Sequence, residues 1–196
     1  ALVNYWVDKA AGLFIEALTY GHVEGVKKPF PLGNASESGR SHRDKVDLLT
    51  GLIETYKNDP TVKTAYEKKR AVIEATQEAM VAPGQMSAIV DATRVELEDL
   101  AHQLASGQFA HGGWLASDAF SLADVQWGAV LYRLQWLGLQ PLLWEKGSII
   151  SAYAEKLFAK ASFQTGVVQW SRVSRKVVLP TIRHKLLEAF GFTRDI

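Results

Sequence analysis

The sequence predicts an all-α protein, a bundle of seven or eight helices. The dominant spacing of apolar residues is helical, and no stretch alternates apolar and polar residues cleanly enough to indicate a strand. One segment, residues 122–137, is apolar on nearly every side, which is typical of a central, buried helix. The 196 residues are 47% apolar and 22% charged, which suffices for a substantial core in one large domain or two small ones.

The first helix is predicted from about Leu2 to Tyr20. Its polar residues fall in a strip roughly 140° wide, so about 220° of its circumference is apolar. A helix at the edge of a bundle buries a narrower stripe, so we expect the surplus to meet a partner. The next residues, from Gly21 to Ser41, are rich in Gly, Pro and Ser and are expected to be irregular.

The middle of the chain predicts three helices. One ends near Tyr56, and the next begins at Pro60, because Pro fits the first position of a helix. Pro83-Gly84 ends that helix and starts the fourth, which Gly107 terminates. The fourth helix is expected to place four residues inward: Val90, Leu97, Leu100 and Leu104.

The last part of the chain predicts the buried helix from Leu122 to Leu137, capped by Gly138, and then three more. The first of these three contains Ile150 to Ala161, the second starts near Ser162, and the third runs from about Thr181 to Phe190. We place a domain over residues 1–181, with a long loop and inserted helices at 21–83, and a short basic extension at 182–196.

Composition excludes several functions. A net charge of +1 argues against a general nucleic-acid-binding protein. The absence of Cys excludes disulfides, zinc ribbons, iron–sulfur clusters and thiol nucleophiles. The five His show no metal-ligand spacing, so no metal site is expected. From Gln169 onward six residues are basic and two acidic, which favours a solvated tail over contact with an acidic membrane surface or partner.

One local motif opens the buried helix. Ser121 is placed as the N-cap, and Asp124, at the third helical position, can accept a hydrogen bond from the amide of Ser121. This is a capping box with Asp in place of Glu. Phe120 and Val125 are placed as a hydrophobic staple around it. By itself the motif indicates only a well-capped helix.

The surrounding sequence makes the motif more specific. The stretch from Trp114 to Val125 resembles the one that opens the sixth helix of glutathione transferases. Further segments resemble the tetrachlorohydroquinone dehalogenases and ganglioside-induced differentiation-associated proteins of that superfamily. They are Leu18–Gly21, Val125–Gly138, Ser162-Phe163 and Val178–Thr181.

The resemblance implies the helical C-terminal domain of a glutathione transferase. In that family a separate thioredoxin-like domain binds glutathione, the co-substrate, and holds its thiolate; no strand pattern in these 196 residues matches it. This chain would then contribute the pocket for a small hydrophobic electrophile, and would carry no catalytic residue. The alternative is a non-catalytic binding or assembly module, a subunit of a larger complex.

The implied partners are a thioredoxin-like domain, another subunit or a second copy of the chain. A cytoplasmic location is expected, with an organelle as the alternative. Five residues are candidates for the substrate pocket, each with core packing or a plain loop position as the competing interpretation: Tyr5, Trp6, Phe14, Tyr20 and His22. Arg133, a lone charge in the buried helix, is expected to form an ion pair with an acidic residue.

Overall fold

A computed structural model describes residues 1–28 and 35–169, with side chains for 1–28 and 43–169. Helices and loops, with no strand, make up these residues, so the predicted all-α fold is confirmed. Most of the predicted seventh helix, the eighth helix, the basic tail and the boundary after residue 181 lie outside the described residues.

The single helix predicted from Leu2 to Tyr20 is wrong. The structure has two helices, α1 (Leu2–Gly12) and α2 (Ile15–Tyr20), separated by Leu13 in an extended conformation. Gly12 ends α1 because glycine loses more conformational freedom in a helix than other residues do. The break lets α1 pack against a later helix, Leu122–Trp136, while α2 also packs against the helix Pro60–Val81.

Two long helices, α3 (Ala35–Thr55) and α4 (Pro60–Val81), pack side by side. The irregular stretch expected up to Ser41 is therefore wrong from Ala35 onward. Residues 35–45 contain no large apolar residue, so apolar spacing could not reveal these first turns of α3. The start of α4 is as predicted: the Asp59 carboxylate accepts from the amides of Thr61 and Val62, both at 3.1 Å.

The next helix, α5 (Gln85–Ser106), buries the four residues expected to face inward. A 3₁₀ turn, Gln108–His111, leads through a loop to α6 (Leu122–Trp136). Trp127 is wholly buried, and its indole N–H donates to the Trp6 carbonyl at 2.9 Å, joining α6 to α1. The prediction that α6 is covered on all sides is wrong for one face, where Val125 is 47% exposed.

The end of α6 turns on Gly138, whose φ of +77° favours glycine. The amide of Leu139 donates to the Leu134 carbonyl at 3.0 Å, and both side chains are fully buried. This glycine also sits against the loop after α2: a β-carbon on it would lie 3.6 Å from the Lys27 carbonyl oxygen. A short α7 (Gln140–Leu143), which the sequence did not predict, and α8 (Ile149–Phe158) follow.

The chain divides into two compact units, Ala1–Glu155 and Lys156–Ile196. In the described part of the second unit, α9 (Ala161–Phe163) continues into a π-helical turn, Gln164–Val168. There the rings of Phe158 and Phe163 stack 5.1 Å apart. None of the described helices combines the length and the apolar character needed to cross a membrane.

Candidate functional site

A cavity of about 630 Å³ opens where α1 breaks from α2; we call it the kink cavity. One wall comes from α1 and the break itself. It presents Tyr5, Asp8, Lys9, Leu13 and Phe14. Tyr5 is 48% and Phe14 43% exposed, so two aromatic side chains are open to a ligand here.

The opposite wall is one face of α5. Its residues recur three and four positions apart, the spacing that places side chains on one side of a helix: Gln85, Ala88, Ile89, Ala92, Thr93 and Glu96. The alanines at positions 88 and 92 lie in the middle of this face. Because their side chains are short, they leave the space into which Tyr5 and Phe14 face.

The cation of the kink cavity, Lys9, is already paired with two carboxylates. Its ammonium nitrogen lies 2.7 Å from Glu96 Oε2 and 3.2 Å from Asp99 Oδ2. The contact with Glu96, helped by Asp99 and opposed by burial, raises the pKa of Lys9 above its ordinary value. The ammonium also lies 5.7 Å from the centre of the Tyr5 ring. The cavity thus offers apolar and aromatic surface but no uncompensated positive charge.

A second cavity, of about 520 Å³, lies on the other side of the break. It shares Gly12, Leu13 and Phe14 with the kink cavity, and its far wall is the face of α4 around Val72 and Thr76. Phe14 therefore lines both cavities.

The five predicted substrate residues do not come together. Tyr5 and Phe14 line the kink cavity. Trp6 is only 3% exposed and packs in the core, its ring 6.0 Å from that of Trp127. Tyr20 and His22 lie at the far end of α2, outside the lining of either cavity. The α5 wall was missed in the sequence, although the spacing of Ala88 and Ala92 could have signalled a recess.

The start of α6 contains the capping box, closed in both directions. The Asp124 carboxylate is wholly buried and accepts more hydrogen bonds than the capping box alone requires. One oxygen accepts from the Ser121 amide and from its hydroxyl, each at 2.8 Å. The other accepts from the Leu115 amide at 3.0 Å and from the Tyr153 hydroxyl at 2.8 Å. Phe120 and Val125, the predicted staple, are both partly exposed, and the Phe120 ring meets Trp114, 4.9 Å away.

Tyr153 is fully buried on α8. Burial and the negative charge of Asp124 raise the pKa of its hydroxyl far above the ordinary range. The hydroxyl is therefore a permanent donor to Asp124 at any physiological pH. This network joins the loop before α6, the start of α6 and α8, and it is structural.

The ion pair expected for Arg133 is wrong. The Arg133 Nε donates to the Thr19 hydroxyl at 3.2 Å, and its guanidinium lies 4.6 Å above the Trp136 ring. A hydroxyl and an aromatic face thus take the place of a carboxylate. Burial lowers the pKa of Arg133, although the nearby Tyr20 opposes this.

A second cation lies beside Arg133. The Lys28 ammonium donates to the Thr19 carbonyl at 3.1 Å and to the Gly21 carbonyl, and both of these residues, at the end of α2, are buried. Burial and the positive charge of Arg133 lower the pKa of Lys28 to about 8. Among the residues with described side chains, no group of three His, Asp or Glu could hold a metal ion.

Three curated proteins show what the chain is similar to. It is 32% identical over 132 residues to the 2,5-dichlorohydroquinone reductive dechlorinase of Sphingobium indicum, which covers 66% of this chain and 37% of that protein. It is 23% identical over 165 residues to the tetrachloro-p-hydroquinone reductive dehalogenase of Sphingobium chlorophenolicum, covering 83% and 58%. It is 40% identical over 65 residues to mouse ganglioside-induced differentiation-associated protein 1-like 1, covering 33% and 17%.

The chain thus spans less than two thirds of the length of each of these relatives. No protein-family model matches it, and no solved structure matches it. The relatives are nevertheless those that the sequence motifs indicated, and the described residues form the all-α arrangement implied by that resemblance. The chain is therefore a relative of the reductive dehalogenases and ganglioside-induced differentiation-associated proteins, and resembles the helical C-terminal domain of the glutathione transferase superfamily.

Proposed function

We propose that this chain supplies the hydrophobic substrate-binding part of a glutathione-transferase-like protein. The kink cavity is the observation that carries the proposal. Its volume of about 630 Å³ is in the range of small-molecule sites. Its two exposed aromatic side chains can contact the face or edge of a flat ring. A small aromatic electrophile, such as a chlorinated hydroquinone, fits this surface.

Glutathione itself does not fit the kink cavity. Its two carboxylates would need cations, and Lys9 is already held by Glu96 and Asp99. Asp8 adds a further negative charge to the lining of the cavity. The resemblance places glutathione on a thioredoxin-like domain, where it would supply the thiolate nucleophile. The part played by this chain is to hold the electrophile and keep water away from it.

A second candidate function, a non-catalytic assembly module, draws support from the same surface. Leu2, Tyr5 and Phe14 are each more than 40% exposed along α1 and the break. Exposed apolar side chains grouped in this way mark interaction sites. A partner domain, another subunit or a second copy of the chain would cover them. The two functions differ in whether the kink cavity binds a small molecule.

Isothermal titration calorimetry with 2,5-dichlorohydroquinone, under argon, separates them. We expect saturable binding, weakened about threefold or more in Phe14→Ala, because an aromatic contact contributes about 0.5–1.5 kcal/mol. Val95→Ala is the matched control, since Val95 is an exposed apolar residue outside both cavity linings. Absence of binding, or equal weakening in both variants, would favour the assembly module. The chain alone is expected to give no glutathione-dependent turnover.

A further inference from the structure

Lys28 and Arg133 are positively charged residues from separate segments that both hydrogen-bond to Thr19, Lys28 to its carbonyl at 3.1 Å and Arg133 to its hydroxyl at 3.2 Å. Lys28 lies in the loop after α2, and Arg133 lies in the last turn of α6. The loop passes beside Gly138, where a β-carbon would lie 3.6 Å from the Lys27 carbonyl oxygen. The pair lies apart from both cavities, whose linings contain neither residue.

Among the described side chains, these two charges have hydrogen-bond acceptors and a ring face as neighbours but no negatively charged partner. Lys28 is held by two carbonyl oxygens, and Arg133 by a hydroxyl and a ring face. No carboxylate of the described side chains forms an ion pair with either residue. Two half-buried like charges without a counter-ion are unfavourable, and a bound anion would relieve both their desolvation and their repulsion.

The geometry of Arg133 suits an oxyanion. Its hydrogen bond to Thr19 uses Nε, so the two terminal nitrogens, Nη1 and Nη2, remain for a ligand. The Trp136 ring fixes the plane of the guanidinium from one side. A guanidinium held in this way matches the two oxygens of a carboxylate or phosphate, and Lys28 adds a point charge.

We propose that Lys28 and Arg133 form a binding site for a small oxyanion, a carboxylate or a phosphate, at the junction of the loop after α2 and the end of α6. The site is independent of the kink cavity. Tyr20 lies close enough to Arg133 to interact with its charge, so this predicted substrate residue belongs to the border of the oxyanion site rather than to the cavity.

The wild-type chain provides the first test. Lysine labelled with ¹³C at the ε carbon allows the pKa of Lys28 to be followed by NMR, with sodium phosphate or sodium acetate added and ionic strength held constant with sodium chloride. We expect a saturable increase from about 8, by about one unit or more, because a neighbouring anion favours the charged lysine. A response to phosphate alone or to acetate alone identifies the ligand class.

Variants locate the site. Arg133→Gln should lower the affinity for the anion that binds by about tenfold or more, because it removes hydrogen bonds from a charged group. Arg133→Lys should restore part of the lost affinity. Arg94→Gln is the control: Arg94 is an exposed arginine paired with Asp91 at 2.6 Å, and its loss should leave binding unchanged. The proposal is overturned if neither anion shifts the pKa of Lys28 in a saturable way, or if Arg133→Gln and Arg94→Gln weaken binding equally.

Discussion

Helix α6 carries a charge near each end, wholly buried at the start and half-buried at the end, and the protein accommodates the two in different ways. At the start, Asp124 accepts four hydrogen bonds from the backbone, a hydroxyl and a phenol. At the end, Arg133 has one hydroxyl, one ring face and a second cation beside it. A charge whose bonding capacity is filled from within the chain holds the fold together, whereas one left partly unfilled is suited to a ligand.

The largest effect should follow removal of the Asp124 carboxylate. Asp124→Ala leaves the Leu115 amide, the Ser121 amide and the Tyr153 hydroxyl without their acceptor. Each unsatisfied buried donor costs about 1–3 kcal/mol, so we expect a loss of at least about 3 kcal/mol in the free energy of unfolding, measured by urea denaturation. Asp124→Asn, which keeps the size and one acceptor, should lose less. Equal losses in the two variants would contradict the role of the hydrogen bonds.

A smaller loss is expected for Tyr153→Phe. The variant keeps the ring, which packs edge-on against Phe109 at 5.3 Å, and removes the hydroxyl that donates to Asp124. A hydrogen bond to a charged group contributes about 1.5–3 kcal/mol. Urea denaturation of Tyr153→Phe, Asp124→Asn and the double variant gives the coupling between them. Fully additive losses would show that the two side chains do not act as one network.

Ser121→Ala should cost about 1 kcal/mol, the usual contribution of an N-cap. Its hydroxyl and amide share a single oxygen of Asp124, so the loss should be less than additive with that of Asp124→Ala. Thermal unfolding followed by circular dichroism measures both. Ser117→Ala, in the loop before the helix, serves as the comparison, because its hydroxyl bonds only within the local turn at Ala119.

The last effect lies at the other end of α6 and appears only in the pH dependence of the free energy of unfolding. The folded pKa of Lys28, about 8, is below its ordinary value of 10.5. Between these values the unfolded chain binds more protons than the folded one, so the contribution of Lys28 to stability rises with pH from about 8 to 10.5. Denaturation with urea at pH 7, 8, 9 and 10 should show this rise in the wild type relative to Lys28→Met. A constant difference would mean that the pKa of Lys28 is not lowered.

The sequence reveals local features of this fold and misses distant ones. The capping box is visible because Ser121 and Asp124 are three residues apart. The contributions of Leu115 and Tyr153 to the same carboxylate come from 9 and 29 residues away, and no periodicity reports them. Likewise, the partner of Arg133 was expected to be an acid, because burial is predictable from the pattern of α6 while the neighbour across the core is not.

The break between α1 and α2 shows the same limit. The apolar residues of the two helices continue one helical spacing, so Gly12 was the sole sign that the helix ends. The kink cavity depends on that break and on a wall of α5 that lies about 80 residues further along the chain. The sequence identified aromatic residues of the first helix as candidates for a pocket. Which of them line a cavity and which pack in the core depends on contacts with distant helices, which the sequence does not show.

The most direct test of the account is a map of where a small aromatic ligand binds. Two-dimensional ¹H–¹⁵N NMR spectra of the labelled chain, recorded during titration with 2,5-dichlorohydroquinone under argon, provide it. We predict saturable shifts of the amides of Tyr5, Gly12, Phe14, Ile89 and Thr93, which surround the kink cavity, and unchanged amides around Asp124 and Arg133. No saturable shift, or shifts concentrated at either end of α6 instead, would contradict the assignment of the kink cavity as the ligand site.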